Sequence, residues 1–215
     1  MFTLYTFGDS ILDCGRYNAH GLHPGGLIVR NDDARFPEFT GRDLTTRGPA
    51  RLVHRAEDGA TVGGLAGQLR RLPAADGPAA ALVTIGGNDL LGGLARDVGP
   101  GVEQFARRLD AFLDALPVRP VLLGTVYDPT FGDDANNFLG VDPAVARSNH
   151  RWVNAAIAAA ADRLGPGRGI LVDLHAHFLT GDPSWYVSVI EPSLTGASEV
   201  RRAFLPAVLA APGAA

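Results

Sequence analysis

The chain has 215 residues, of which 46% are hydrophobic and 20% are charged, a composition typical of a soluble globular protein. Its formal net charge of -4 argues against nucleic acid as the main partner. All 19 basic residues are arginine, which excludes a Schiff-base lysine, a phosphate-loop lysine and a serine–lysine dyad.

The expected compartment follows from three absences in the sequence. A single cysteine allows no disulfide within the chain. No run of 18 apolar residues is present, so we expect no membrane span. The first residues lack the basic stretch of a signal peptide, and their apolar run is typical of a strand. We therefore predict a cytoplasmic protein whose oligomeric state the sequence leaves open.

Apolar runs alternate along the chain with amphipathic stretches. The runs predict strands at 2–7, 51–54, 80–85, 120–126 and 169–173. Apolar residues spaced three and four apart predict helices at 61–72, 89–96, 100–116, 143–164 and 195–210. Loops are expected at 11–50, 127–142 and 179–194. The pattern predicts an α/β fold: one domain over residues 1–215, a three-layer α/β/α sandwich around a five-stranded parallel sheet.

Polar residues suited to acyl chemistry follow the first three predicted strands. Ser10 ends Gly-Asp-Ser, Gly59 lies in Glu-Asp-Gly-Ala-Thr, and Asn88 lies in Gly-Gly-Asn-Asp. Attack of a serine hydroxyl on an ester produces a tetrahedral oxyanion, which fixed hydrogen-bond donors stabilise. The backbone N–H groups of Ser10 and Gly59 and the side-chain amide of Asn88 are candidate donors.

These three blocks resemble, in order and spacing, the first three sequence blocks of the GDSL/SGNH hydrolase superfamily. The resemblance covers essentially the whole chain and implies a flavodoxin-like α/β/α sandwich. It also implies that Ser10 is the nucleophile and that Ser10, Gly59 and Asn88 form the oxyanion hole. The implied reaction is hydrolysis or transfer of an ester, thioester or O-acyl group on a small-molecule substrate, without a cofactor or metal.

The chain departs from the family near its last predicted helix. The family has Asp-x-x-His-Pro there, with the histidine as general base and the aspartate orienting it. The matching segment here is Ser-Val-Ile-Glu-Pro, which puts Glu191 in place of the histidine and Ser188 in place of the aspartate. No histidine follows His177.

Three interpretations of this departure remain open. Glu191 could be the base, although a carboxylate with a pKa of about 4.3 is a weak base unless burial raises that pKa. His175 or His177, which follow the fifth predicted strand, could replace the missing histidine. Alternatively, the protein binds an acyl or glycosyl ligand without turnover. A nucleotide-binding flavodoxin-like protein is a weaker alternative, because the Gly-rich stretch after Asp58 is followed by no lysine.

Overall fold

The computed structural model describes residues 1–214, so Ala215, the last residue of the predicted domain, lies outside it. Five strands form one parallel sheet in the order β2-β1-β3-β4-β5. The strands are β1 Phe2–Gly8, β2 Ala50–His54, β3 Ala79–Thr84, β4 Val121–Gly124 and β5 Gly169–Val172. This order is that of flavodoxin-like folds, in which the chain changes direction across the sheet beside β1.

Helices cover both faces of the sheet. They are α1 Pro24–Val29, α2 Leu65–Gln68, α3 Gly87–Leu91, α4 Gly101–Ala115, α5 Pro143–Leu164, α6 Leu174–Phe178 and α7 Leu194–Leu209. Helices α1 and α7 pack together on one face, and α4 and α5 pack together on the other. The result is the predicted three-layer α/β/α sandwich.

Each central strand contributes to two hydrophobic cores because successive side chains of a strand point to opposite faces. Leu4 and Leu82 pack into the core under α1 and α7, whereas Tyr5 and Val83 pack into the core under α4 and α5. All four side chains are buried. Burial on both faces explains why the strands are continuous apolar runs without alternation.

The predicted strands and the three longest helices are confirmed to within a few residues at their ends. The helix predicted at 89–96 is interrupted by Gly92 and Gly93, because α3 ends at Leu91 and a separate 3-10 turn forms at Leu94–Arg96. The helix predicted at 61–72 is also wrong in extent. Only a 3-10 turn, Val62–Gly64, and the single turn of α2 form there. Gly63, Gly64 and Gly67 weaken helix formation in this segment, and Pro73 follows it. The apolar spacing indicated which face is buried but not how far the helix extends.

The connection predicted as a loop at 11–50 is largely folded. It contains α1 and three 3-10 turns, Gly15–Tyr17, Pro37–Phe39 and Leu44–Thr46. The fully buried Arg201 of α7 holds it in place. Its guanidinium lies 3.5 Å from the centroid of the Phe39 ring, and its Nη1 donates to Asn31 Oδ1 at 2.6 Å. A contact across 170 residues of sequence cannot be read from local pattern.

The segment predicted as a loop at 179–194 also contains regular structure. A two-stranded antiparallel hairpin, β6 Tyr186–Val187 and β7 Glu191–Pro192, precedes α7. The hairpin matters because Glu191 is the first residue of its second strand. Among the described residues, no helix combines the length and apolar character that crossing a membrane requires.

Candidate active site

Strands β1 and β3 end side by side, with the residues that follow them at one edge of the sheet. In this topology ligands bind in the crevice outside the carboxyl ends of these two strands. Gly8 ends β1 with φ +117, and a Cβ there would lie 1.7 Å from the carbonyl oxygen of Thr84 in β3. Only glycine allows this close approach, which brings Ser10 and the start of α3 together.

Asp9 supports the turn that presents Ser10 and is itself almost completely buried. Its Oδ1 accepts hydrogen bonds from Thr84 Oγ1 at 2.9 Å and from Ile11 N at 3.2 Å. Burial raises the pKa of Asp9 from 3.8 to about 7, and the hydrogen bonds only partly offset this effect. Nearby Glu191 contributes a smaller increase, so the two carboxylates oppose each other's ionisation.

Ser10 and Glu191 are brought together, although 181 positions separate them in the sequence. Burial raises the pKa of the Glu191 carboxylate, and the adjacent Ser10 side chain lowers it by a smaller amount. Asp58 raises this pKa further and Arg16 lowers it. Oε2 of Glu191 is buried without a hydrogen-bond partner among the described residues. The site therefore combines a hydroxyl donor with a carboxylate that has spare acceptor capacity.

The hairpin that carries Glu191 contains a strained turn. Ser188 and Val189 have φ values of 51 and 76, a region uncommon for residues other than glycine and rare for a β-branched residue such as Val189. The Tyr127 hydroxyl donates to the carbonyl of Ile190 at 2.7 Å and anchors the turn against the sheet. Ser188, which stands at the position of the family's aspartate, is exposed in this turn. Strain of this kind, held by its surroundings, is typical of functional segments.

Gly59 lies in a tight turn in which Ala60 N donates to the carbonyl of Glu57 at 3.0 Å. Gly59 has φ +79, and a Cβ there would meet no atom within 4 Å, so its backbone faces open space. Among the described residues, none accepts a hydrogen bond from the N–H of Gly59 or of Ser10. Both donors are therefore available to a ligand.

The Gly59 turn is held from two sides. On one side, Asp13 Oδ2 accepts from Asp58 N at 3.0 Å, and Arg16 Nη1 lies 2.9 Å from Asp58 Oδ2. His54 Nε2 in turn lies 3.1 Å from the other oxygen of Asp13. This network fixes the loop that carries the candidate oxyanion donor, and sequence reasoning missed it because neither Asp13 nor His54 belongs to a recognisable motif.

On the other side, Asn88 Nδ2 donates to the carbonyl of Ala60 at 3.0 Å. An amide nitrogen carries two hydrogens, so one remains for a ligand. The next residue, Asp89, accepts from Val62 N at 3.0 Å. The first turn of α3 is thereby fastened to the Gly59 turn, which brings the candidate donors of Ser10, Gly59 and Asn88 to one edge of the sheet.

The two histidines considered as replacement bases, His175 and His177, contact residues other than Ser10. His177 Nε2 lies 3.0 Å from Glu199 Oε2, and its ring packs against Trp185. His175 packs edge-on against His150, with 4.8 Å between ring centroids, and its Nδ1 is buried without a described partner. Neither of the two lines the cavity that contains Ser10.

His150 does line the cavity beside Ser10, and sequence reasoning missed it. Its Nε2 donates to the carbonyl of Val126 at 2.8 Å, so this nitrogen carries the proton. Asn154 donates to the same carbonyl at 2.9 Å and accepts from Val126 N at 2.8 Å. Burial lowers the pKa of His150, which favours a neutral ring that clamps the end of β4.

A cavity of about 150 Å³ opens beside Ser10 and Asn88. Its walls come from α3, from α5 and from the connection at 127–142. Trp185 and Tyr186, which precede Glu191 in sequence, do not line it and instead pack against Phe178. Among residues 1–214, no group of three or more histidine, cysteine, aspartate or glutamate side chains is arranged to hold a metal ion.

Fold and site together define a flavodoxin-like α/β protein with a serine at the carboxyl end of its first strand, beside free backbone donors. The GDSL-like lipase/acylhydrolase family matches residues 6–196. The chain belongs to this family.

Several solved structures share the fold. An acetylxylan esterase from Geobacillus stearothermophilus is 22% identical with a TM-score of 0.67, over 95% of this chain and 92% of that chain. An α/β hydrolase from the metagenome of Lake Arreo is 26% identical with a TM-score of 0.64, over 95% and 94%. An extracellular lipase from Streptomyces rimosus is 19% identical with a TM-score of 0.61, over 98% and 100%. No match was found among curated protein sequences.

Proposed function

We propose that the chain is a single-domain serine esterase or acyl transferase in which Ser10 is the nucleophile and Glu191 the general base. Membership of the GDSL-like lipase/acylhydrolase family supports the reaction class. The observation that carries the proposal is that the Glu191 carboxylate lies beside the Ser10 side chain, near enough for Ser10 to lower its pKa. Nucleophilic serines are activated by an adjacent base within hydrogen-bond reach.

In the first half-reaction, Ser10 Oγ bonds to the carbonyl carbon of the ester while its proton passes to the Glu191 carboxylate. The negative charge that develops on the carbonyl oxygen is stabilised by the N–H groups of Ser10 and Gly59 and by the Asn88 amide. When the tetrahedral intermediate collapses, the bond to the alkoxy oxygen breaks, and the proton on Glu191 goes to the departing alcohol. A water or an acceptor alcohol then attacks the acyl carbon and gives its proton to Glu191. The bond between the acyl carbon and Ser10 Oγ breaks, and the proton on Glu191 returns to Ser10.

A carboxylate can serve as this base only if its proton affinity is raised. Burial raises the pKa of Glu191, and the negative charge of Asp58 adds to this effect. Its buried Oε2 has no hydrogen-bond partner among the described residues, which leaves a site for the transferred proton. These three features support Glu191 as the base in this chain.

The test is covalent labelling by a fluorophosphonate, followed by intact mass. Wild type is expected to gain one adduct, and Ser10→Ala none. Glu191→Gln should label at least about 100-fold more slowly, because it removes general-base assistance. Glu103→Gln, a matched change on the exposed side of α4, should label like wild type. Unchanged labelling of Ser10→Ala contradicts the nucleophile, and unchanged labelling of Glu191→Gln contradicts the base.

A second candidate function is ligand binding without turnover. It is favoured by the glutamate at the position of the family's histidine, since an ordinary carboxylate is a weak base towards a hydroxyl. Catalytic mutants of the acetylxylan esterase from Geobacillus stearothermophilus include one that replaces a histidine. A folded wild type that takes up no fluorophosphonate but is stabilised by acyl ligands would support this function.

A further inference from the structure

We propose that the cavity beside Ser10 binds the acyl part of the substrate and fits an uncharged chain of about six carbons or a benzoyl-sized group. This inference rests on the proposed function and goes further by naming a substrate class: medium-chain or aryl esters instead of acetyl esters.

The walls of the cavity are mainly apolar. Aliphatic side chains line it from α3, from the segment after α3, from the 127–142 connection and from α5: Leu90, Leu91, Ala95, Leu139 and Ala146. Phe138 also lines it and is partly exposed at the surface. Apolar walls with a few polar groups at one end are typical of pockets that bind a hydrocarbon group by burial and orient it by hydrogen bonds.

The size of the cavity sets the length of the chain. At about 150 Å³ it matches an engineered apolar cavity that binds benzene, a six-carbon ring. An acetyl group would cover little of the apolar wall and leave the rest of it in contact with water. A chain of about six carbons fills the space.

The placement of the polar groups orients the substrate. Ser10 and Asn88 line the cavity, whereas Gly59 does not line it and is exposed. When the carbonyl carbon of the ester lies at Ser10 and its oxygen points towards these donors, the acyl chain extends into the cavity. The alcohol part then leaves towards the open side of the Gly59 turn.

The one arginine among the described residues of the cavity wall, Arg147, is already paired with two of the aspartates that line the cavity. Arg147 Nη1 lies 3.0 Å from Asp128 Oδ2, and its Nε donates to Asp134 Oδ1 at 2.6 Å. Because both carboxylates already engage this arginine, it is not free to bind a carboxylate or phosphate at the end of a substrate chain. An anionic chain end would face these carboxylates without a free cation on the described wall to pair with, and the apolar walls favour an uncharged chain.

The first test measures kcat/KM for p-nitrophenyl esters from acetyl to decanoyl, which share one leaving group. Each buried methylene should raise kcat/KM by about fourfold, or roughly 200-fold from acetyl to hexanoyl, with no further gain beyond. Ala146→Leu should shorten the preferred chain by two or more carbons. Ala155→Leu, on the exposed side of the same helix, should keep the wild-type profile. A preference for acetyl esters, or identical profiles for the two variants, would overturn the inference.

The second test does not depend on turnover. Hexanamide should bind at least about 50-fold more tightly than acetamide by calorimetry, and Ala146→Leu should remove most of this difference. These neutral amides place no second anion beside Glu191. Equal binding of the two amides overturns the inference even if esters are hydrolysed. Selective hexanamide binding that Ala146→Leu removes, in a protein that hydrolyses no ester, upholds the cavity assignment and rejects the esterase function.

Discussion

Replacing Asp9 by asparagine isolates the effect of a buried charge next to Ser10, the proposed nucleophile. Asp9 is 1% exposed, and its Oδ1 accepts from Thr84 Oγ1 and Ile11 N. An asparagine keeps this acceptor oxygen, and its NH₂ group takes the place of the protonated Oδ2. The variant therefore resembles the neutral form of Asp9 at every pH.

The magnitude follows from the pKa of Asp9, which burial raises from 3.8 to about 7. At about 1.4 kcal/mol per pKa unit, this difference corresponds to about 4 kcal/mol. Because the folded-state pKa lies above the unfolded value, the proton stabilises the fold fully below pH 3.8. This stabilisation is lost as the pH rises through about 7. Above pH 7, Asp9→Asn should therefore be up to about 4 kcal/mol more stable than wild type.

Urea denaturation of both proteins at pH 4, 5, 6, 7 and 8 measures this difference. The free energy of unfolding of wild type should fall relative to the variant by up to about 1.4 kcal/mol per pH unit between pH 4 and 7. Asp76→Asn is the control because it removes the same charge at an exposed position. A difference between Asp9→Asn and wild type that is the same at pH 4 and pH 8, or a less stable variant at pH 8, would refute the reasoning.

Three further predictions concern the candidate machinery. If Glu191 is the base, kcat/KM should decline as the pH falls through its pKa, which burial raises above 4.5. Glu191→Gln should abolish this profile and lower kcat by about 100-fold or more, and Glu191→His should move the inflection towards neutral pH. Asp13→Ala should lower kcat more than it raises KM, because the Asp58 N–H loses its acceptor and the Gly59 turn loses part of its support. Equal effects on kcat and KM would contradict a role of Asp13 in positioning the Gly59 turn. Gly8→Ala should unfold the protein in circular dichroism and melting experiments, whereas Gly59→Ala should cost only about 1 kcal/mol.

The sequence alone determined the layers of the fold and most of the candidate site. Strands buried on both faces have to be apolar throughout, so five such runs between amphipathic helices predicted the parallel sheet. Ser10, Gly59 and Asn88 were found because each follows a strand, and the carboxyl ends of β1 and β3 meet at one edge. These features depend on local pattern and on topology rules that hold for the whole fold class.

Only the tertiary structure decided which groups surround Ser10. The sequence left Glu191, His175 and His177 open as the base. Folding places the Glu191 carboxylate against the Ser10 side chain and His177 against Glu199. The burial of Asp9, the support of the Gly59 turn and the shape of the cavity likewise arise from residues far apart in the chain. Their pKa values and contacts depend on solvent exclusion by the whole packed domain, and no short stretch of sequence encodes that.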